Sequence, residues 1–160
     1  TAEKRFRIFV DLEKGENPTA LADAYNRIGD CNLHVRRFEE AKQYYAKAEN
    51  LNTPAGDYAV YQLALVYGMQ KNYTEKVSML DRLAAKYPNS PYAINALYEK
   101  GRSYVQSNNS RQAIATFREL LAKYPESPVS RKAAAEIGLL YYQNDDYDRA
   151  IEAYKHVVTQ

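Results

Sequence analysis

The sequence predicts an all-α fold: a solenoid of antiparallel helix pairs, about nine helices in total, each pair stacked on the next. Two observations predict it. The first is internal repetition. Lys86-Tyr87-Pro88-Asn89-Ser90-Pro91 returns as Lys123-Tyr124-Pro125-Glu126-Ser127-Pro128, an offset of 37 residues. The same offset carries Gly101 to Gly138, Tyr104 to Tyr141, Ala113 to Ala150, Ile114 to Ile151, aromatic Phe117 to Tyr154, and Leu120/Leu121 to Val157/Val158. A fixed period between about 20 and 50 residues marks a repeat array. The second observation is periodicity: apolar residues recur at helical spacing in segments of about 14 residues joined by short polar turns, and nothing reads as a strand.

Taken in order, Thr1 to Lys14 reads as a helix with Phe6, Phe9, Val10 and Leu12 on its apolar side, ended by Gly15 and Pro18. Thr19 is the expected cap of the next helix, Ala20 to His34, which buries Leu21, Ala24, Tyr25, Ile28 and Cys31. Phe38 to Leu51 follows, facing inward with Phe38, Ala41, Tyr45 and Ala48, and Thr53-Pro54-Ala55-Gly56 breaks it. Asp57 to Gln70 and Tyr73 to Tyr87 form the next pair, with Val60, Leu63, Ala64 and Tyr67 facing Val77, Leu80, Leu83 and Ala84. Tyr92 to Gln106 and Ser110 to Tyr124 form another. Val129 to Gln143, the turn Asn144-Asp145-Asp146, and Tyr147 to Gln160 complete the chain. A lone helical hairpin cannot bury both faces of its helices, so each must stack on its neighbour.

Ala64 and Tyr67 stand 37 residues before Gly101 and Tyr104, and Gly29 and Ala41 stand 35 before Ala64 and Lys76. The expected division is therefore residues 1–18 as the second helix of a preceding repeat, then repeats over 20–54, 57–91, 94–128 and 131–160. Solenoids normally end in polar caps, and neither end here has that character. The chain reads as an excerpt from a longer array.

Composition narrows the function classes. Twenty-two basic and 20 acidic residues leave a net charge of +2, so nothing electrostatic calls for nucleic acid or an anionic membrane. No apolar run is long enough to span a bilayer, so no direct membrane insertion is expected. One cysteine cannot close an internal disulfide. The chain has 16 Tyr against 4 Phe and no Trp, which suits thin structures whose rings are half buried with hydroxyls in water.

Each first helix has a large residue followed four positions on by a small one: Tyr25 and Gly29, Val60 and Ala64, Leu97 and Gly101, Ala134 and Gly138. Each second helix has the reverse, as in Ala41 and Tyr45, Ala113 and Phe117, Ala150 and Tyr154. Small residues let helix backbones approach and large ones fill the adjoining holes. This pattern resembles the tetratricopeptide repeat over essentially the whole chain, most closely in Asp145-Asp146-Tyr147-Asp148-Arg149-Ala150-Ile151-Glu152-Ala153-Tyr154. The second repeat departs from it, with Lys76 at the small position and Leu80 at the aromatic one. The resemblance implies a right-handed α-α superhelix. The longer, Tyr-Pro-x-Ser-Pro-linked repeat is similar to bacterial cell-envelope members, the Tol–Pal-associated periplasmic protein and the β-barrel assembly lipoprotein. That likeness implies the periplasm or outer membrane, with the cytoplasm as the alternative.

No arrangement suggests catalysis, a metal or a cofactor. His34 and His156 lie in different repeats without ligand-spaced neighbours and read as surface residues. Cys31 reads as a buried, inert thiol. Asp145, Asp146 and Asp148 lack the alternating ligands and closing Glu of a calcium loop and read as a helix start.

The resemblance further implies that the first helices line a groove for a partner protein or peptide. Its register gives Asp23, Asn26 and Asp30; Tyr58, Tyr61 and Leu65; Asn95, Tyr98 and Arg102; and Lys132, Ala135, Leu139 and Tyr142. Tyr58, Tyr61 and Tyr98 read equally as partner anchors or as packing rings. The family's carboxylate clamp for C-terminal tails, which needs Lys, Asn and Arg at fixed groove positions, is set aside, because Asn26, Asp30, Asn95 and Glu99 fall where most of those would be. The expected function is a non-catalytic protein–protein interaction scaffold. The alternatives are a spacer that self-associates end to end, using Phe6 and Phe9 against Tyr154 and Val158, and an appendage to an enzyme whose catalytic domain lies elsewhere.

Overall fold

The structure, a computed structural model, describes residues 1–6 and 17–159. Among them stand α1 (Pro18–His34), α2 (Phe38–Asn50), α3 (Gly56–Met69), α4 (Tyr73–Lys86), α5 (Ala93–Gln106), α6 (Ser110–Lys123), α7 (Pro128–Gln143) and α8 (Tyr147–Val158). Residues 2–6 are also helical, and no strand occurs among the described residues. The all-α expectation holds. The remainder of the opening helix, with Phe9, Val10 and Leu12, lies outside the described residues.

Helix ends differ from expectation by a residue or two, for local reasons. Helix α1 begins at Pro18 and not beyond Thr19. Asn17 is the cap, its side chain accepting from the Ala20 amide at 3.1 Å, and Pro18 occupies the first turn, where a missing N–H costs nothing. Helices α4 and α6 stop one residue early, at Lys86 and Lys123, because Tyr87 and Tyr124 precede prolines. Both leave the helical region, at φ/ψ −130/61 and −132/59.

The turn inside every pair is built the same way. Arg36, Lys71, Asn108 and Asp145 all have φ between 59° and 63°, at the spacing of the repeat. Each closes a double bridge at a helix C-terminus. The amide of the following residue donates to a carbonyl five positions back: Arg37 to Asn32, Asn72 to Tyr67, Asn109 to Tyr104 and Asp146 to Tyr141, at 2.8–2.9 Å. The left-handed residue donates three back, at 2.9–3.1 Å. In three pairs the next side chain then caps the second helix: Asn72 to Glu75 N, Asn109 to Gln112 N and Asp146 to Arg149 N. Two residues thus end one helix and start the next.

The chain divides into two compact units, Thr1–Tyr92 and Ala93–Gln160. In the first, Leu21, Ala24 and Ile28 pack against Phe6, Tyr25, Tyr44 and Leu51. Fully buried Tyr45 lies against Gly29, where an added Cβ would meet its ring at 2.6 Å. Lys76, out of place by the repeat pattern, is buried. Its stem lies over Gly68, whose Cβ would stand 2.9 Å from Lys76 Cδ. The positions eight residues apart across each turn are Leu33/Ala41, Val105/Ala113 and Tyr142/Ala150 elsewhere, but Gly68/Lys76 here. Large and small have exchanged helices in this pair. The linker docks on the same unit: Ser90 Oγ donates to Asp57 at 2.6 Å, and the Tyr87 hydroxyl is buried against Gly56.

In the second unit, Ala113, Phe117, Leu120, Ala133, Ile137 and Leu140 form the buried core. Phe117 faces Gly101 and Tyr154 faces Gly138, the large-into-small fit that the repeat pattern predicts.

Candidate partner-binding surfaces

In the first unit, α1 and α3 carry six of the expected groove residues, of which Asp23 is exposed and lies 3.8 Å from Arg27. Asn26 is buried, its amide donating to Ala55 O at 3.3 Å, so it holds the α3 entry and offers no contact surface. Asp30 is a hub: it accepts from Tyr45 Oη at 2.6 Å, Tyr58 Oη at 2.9 Å, Gln62 Nε2 at 3.4 Å and Arg27 at 3.1 Å. The Tyr58 ring lies edge-on to Tyr92 at 5.8 Å, and Tyr61 stacks on Tyr92 at 5.3 Å with an 18° interplanar angle. Leu65 is half-buried. Tyr92 was not among the expected groove residues; its place after the linker prolines gave no signal of a ring shared by two others.

In the second unit, Tyr98 packs on Phe117 at 5.7 Å and its hydroxyl reaches Glu136 at 3.5 Å. Arg102 donates to the same carboxylate at 3.0 Å. Internal partners therefore account for all three tyrosines that sequence reasoning left open. The expected residues presented to solvent are Asn95, Lys132, Leu139 and Tyr142. Leu139 is 42% exposed and Tyr142 58%, with Tyr142 edge-on to exposed Tyr147 at 5.7 Å. Ala135 is half-buried.

Other sequence candidates also have defined places. Cys31 is half-buried, not buried as expected, because its helix face is only partly covered. Burial first, then Asp30 and Glu3, push its thiol up, which lowers its thiolate fraction. Asp145 supplies the left-handed turn residue and Asp146 the α8 cap. Among the described residues no three His, Cys, Asp or Glu side chains cluster as metal ligands, and no helix is long and apolar enough to cross a membrane. On α8, Ile151, Tyr154 and Val158 are exposed, Val158 to 83%.

Burial, then the bond to Asp30, pushes the Tyr45 hydroxyl far above the ordinary tyrosine range, and the same two causes lead at Tyr58. A raised folded-state value favours the neutral form in the fold, so this stability is complete below the unfolded tyrosine value of about 10 and is lost as pH rises above it. Urea midpoints measured between about pH 8 and pH 11 should fall more steeply for the parent than for Tyr45→Phe. Parallel curves would remove Tyr45 as the cause.

Family models described as tetratricopeptide repeat match residues 22–53, 58–90 and 98–160, without overlap and over well more than half of the chain. The chain belongs to the tetratricopeptide repeat family. Solved structures agree on the tetratricopeptide fold. BtubC (BKLC) from P. vanneervenii is 12% identical, with a TM-score of 0.80 over 98% of this chain and 70% of that one. A Podosopora anserina protein with nearly identical TPR-like repeats is 16% identical, with a TM-score of 0.75 over 98% and 84%. MamA from Desulfovibrio magneticus RS-1 is 19% identical, with a TM-score of 0.69 over 99% and 94%. No curated protein matches the chain in sequence. As a tetratricopeptide repeat protein, the chain is of a kind that serves as a protein–protein interaction scaffold.

Proposed function

We propose that this chain is a non-catalytic scaffold that docks a partner protein through the first-helix face of residues 93–160, with Leu139 and Tyr142 as its anchors. The observation that carries this reading is the pair's exposure, 42% and 58%, on a helix whose remaining large apolar residues are buried or half-buried. Exposed Lys132 stands seven residues before Leu139, about 10 Å away along the helix. Partner contacts thus combine a tyrosine, a residue type enriched at binding hot spots, with an aliphatic neighbour and a nearby cation. Tyr58 and Tyr98 are already held by internal partners and supply less binding energy.

Affinity capture from cross-linked lysate tests the assignment. Leu139→Ala/Tyr142→Ala should lose the captured partner, an effect on the order of 2 kcal/mol or about thirtyfold in affinity, with helical circular dichroism unchanged. Unchanged capture by this variant, together with loss by Tyr58→Ala/Tyr98→Ala, would move the site to the half-buried tyrosines and overturn the proposal.

A further inference from the structure

We infer that a cleft on the second-helix side of residues 93–160 takes a glutamate side chain presented by a partner protein. The cleft has a volume of about 470 Å³ and lies between α6 and α8, with α7 as its floor. Leu121, Ile137 and Ala153 make its walls apolar, while Arg118, Tyr141, Arg149 and His156 supply polar groups.

Tyr141 lies under two guanidiniums, Arg118 at 5.7 Å and Arg149 at 5.9 Å. Arg149 is held by Asp146 at 3.3 Å. Arg118 donates to the Tyr141 hydroxyl, but no carboxylate among the described residues lies within ion-pair distance of it. Glu152, the one acid lining the cleft, is beyond that distance from Arg118, Arg149 and His156. A cation without a carboxylate, set beside apolar walls, suits an anionic group on an aliphatic stem.

The first unit shows what fills the corresponding place. The repeat register puts Glu49 at the position of Leu121, Arg82 at that of His156 and Tyr67 at that of Tyr141. There the floor tyrosine also carries a cation, Lys42 at 4.6 Å. Glu49 is buried and meets Arg82 at 2.7 Å and Lys86 at 3.7 Å. The first unit thus provides a glutamate from its own helix. The second has Leu121 instead, with His156 in the place of Arg82, while its Arg118, which stands where the first unit has Ala46, is left without an acid. Leu121, Ile137 and Ala153 would take the methylenes of an incoming glutamate and Arg118 its carboxylate. This face is not the one assigned to Leu139 and Tyr142, and it stands or falls independently of that assignment.

Titrating isotope-labelled protein with the blocked heptapeptide Gly-Ser-Leu-Glu-Leu-Ser-Gly, its Gln counterpart and inorganic phosphate tests the inference. The Glu peptide should shift the Arg118 side-chain and Ala153 amide resonances and bind about tenfold tighter than the Gln peptide. Arg118→Gln should abolish that preference. Leu121→Glu, which installs the acid found in the first unit, should abolish binding. Leu121 is half-buried, so if Leu121→Glu fails to fold, the exposed Arg118→Gln decides alone. The inference is overturned if the peptides bind equally or not at all, if phosphate alone gives the same shifts at the same affinity, or if Arg118→Gln keeps the preference.

Discussion

Gly101→Ala is expected to destabilise the protein by about 3 kcal/mol, the upper range for overpacking a core. Both Gly101 and Phe117 are buried, and an added Cβ would lie 2.6 Å from Phe117 Cδ1 and 2.7 Å from Cζ. Neither the ring nor the backbone can retreat, because Phe117 belongs to the core with Leu120, Ala133 and Ile137. Urea denaturation followed by circular dichroism measures the loss. Phe117→Leu in the same chain should recover part of it, since the two changes share one volume and will not add. Gly138→Ala is the control. Its Cβ would meet Tyr154 at 2.9 Å, but Tyr154 is 38% exposed and its ring can swing toward solvent. Better helix propensity then offsets the strain, for a net change below about 1 kcal/mol. Equal losses at the two glycines would show that ring burial does not set the cost.

Asp30→Ala should cost about 3 kcal/mol, mostly through Tyr45. That tyrosine is fully buried and its hydroxyl donates to Asp30 at 2.6 Å, so removing the acceptor leaves a buried donor without a partner. Tyr58 loses its 2.9 Å bond as well but keeps the donor Gln62 at 2.8 Å and has access to water. The ion pair with half-exposed Arg27 contributes little. The double variant Asp30→Ala/Tyr45→Phe should therefore be more stable than Asp30→Ala alone by about 1 kcal/mol. If the double variant were less stable by the full sum of the single losses, Asp30 would be acting through some other group.

Much of this was legible in the sequence because it depends on spacing. The glycines at 29, 101 and 138 and the rings at 45, 117 and 154 recur at the repeat period, so their pairing across each hairpin follows from helix geometry. The second repeat was harder to read. Lys76 breaks the small-residue rule, and its compensation by Gly68 appears only when positions across the turn are compared. The left-handed turn residues carried no glycine to mark them. Arg36, Lys71, Asn108 and Asp145 are ordinary polar residues whose conformation is imposed by the paired bridges at each helix end.

The groove residues divide along the same line. The family's register placed Asn26, Asp30, Tyr58, Tyr61, Tyr98, Leu139 and Tyr142 on the groove side of first helices. Which of them face solvent depends on contacts between helices distant in sequence: Asn26 to Ala55, Tyr58 to Asp30, Tyr61 to Tyr92, Tyr98 to Phe117. Sequence by itself determined the helix pairs and the family, because each follows from a period of a few residues or one repeat. Tertiary structure alone decided that Asp30 organises the tyrosines of its unit and that Leu139 and Tyr142 stay exposed. A hydroxyl chooses its acceptor, and a ring its cover, by distances that only the packed chain sets.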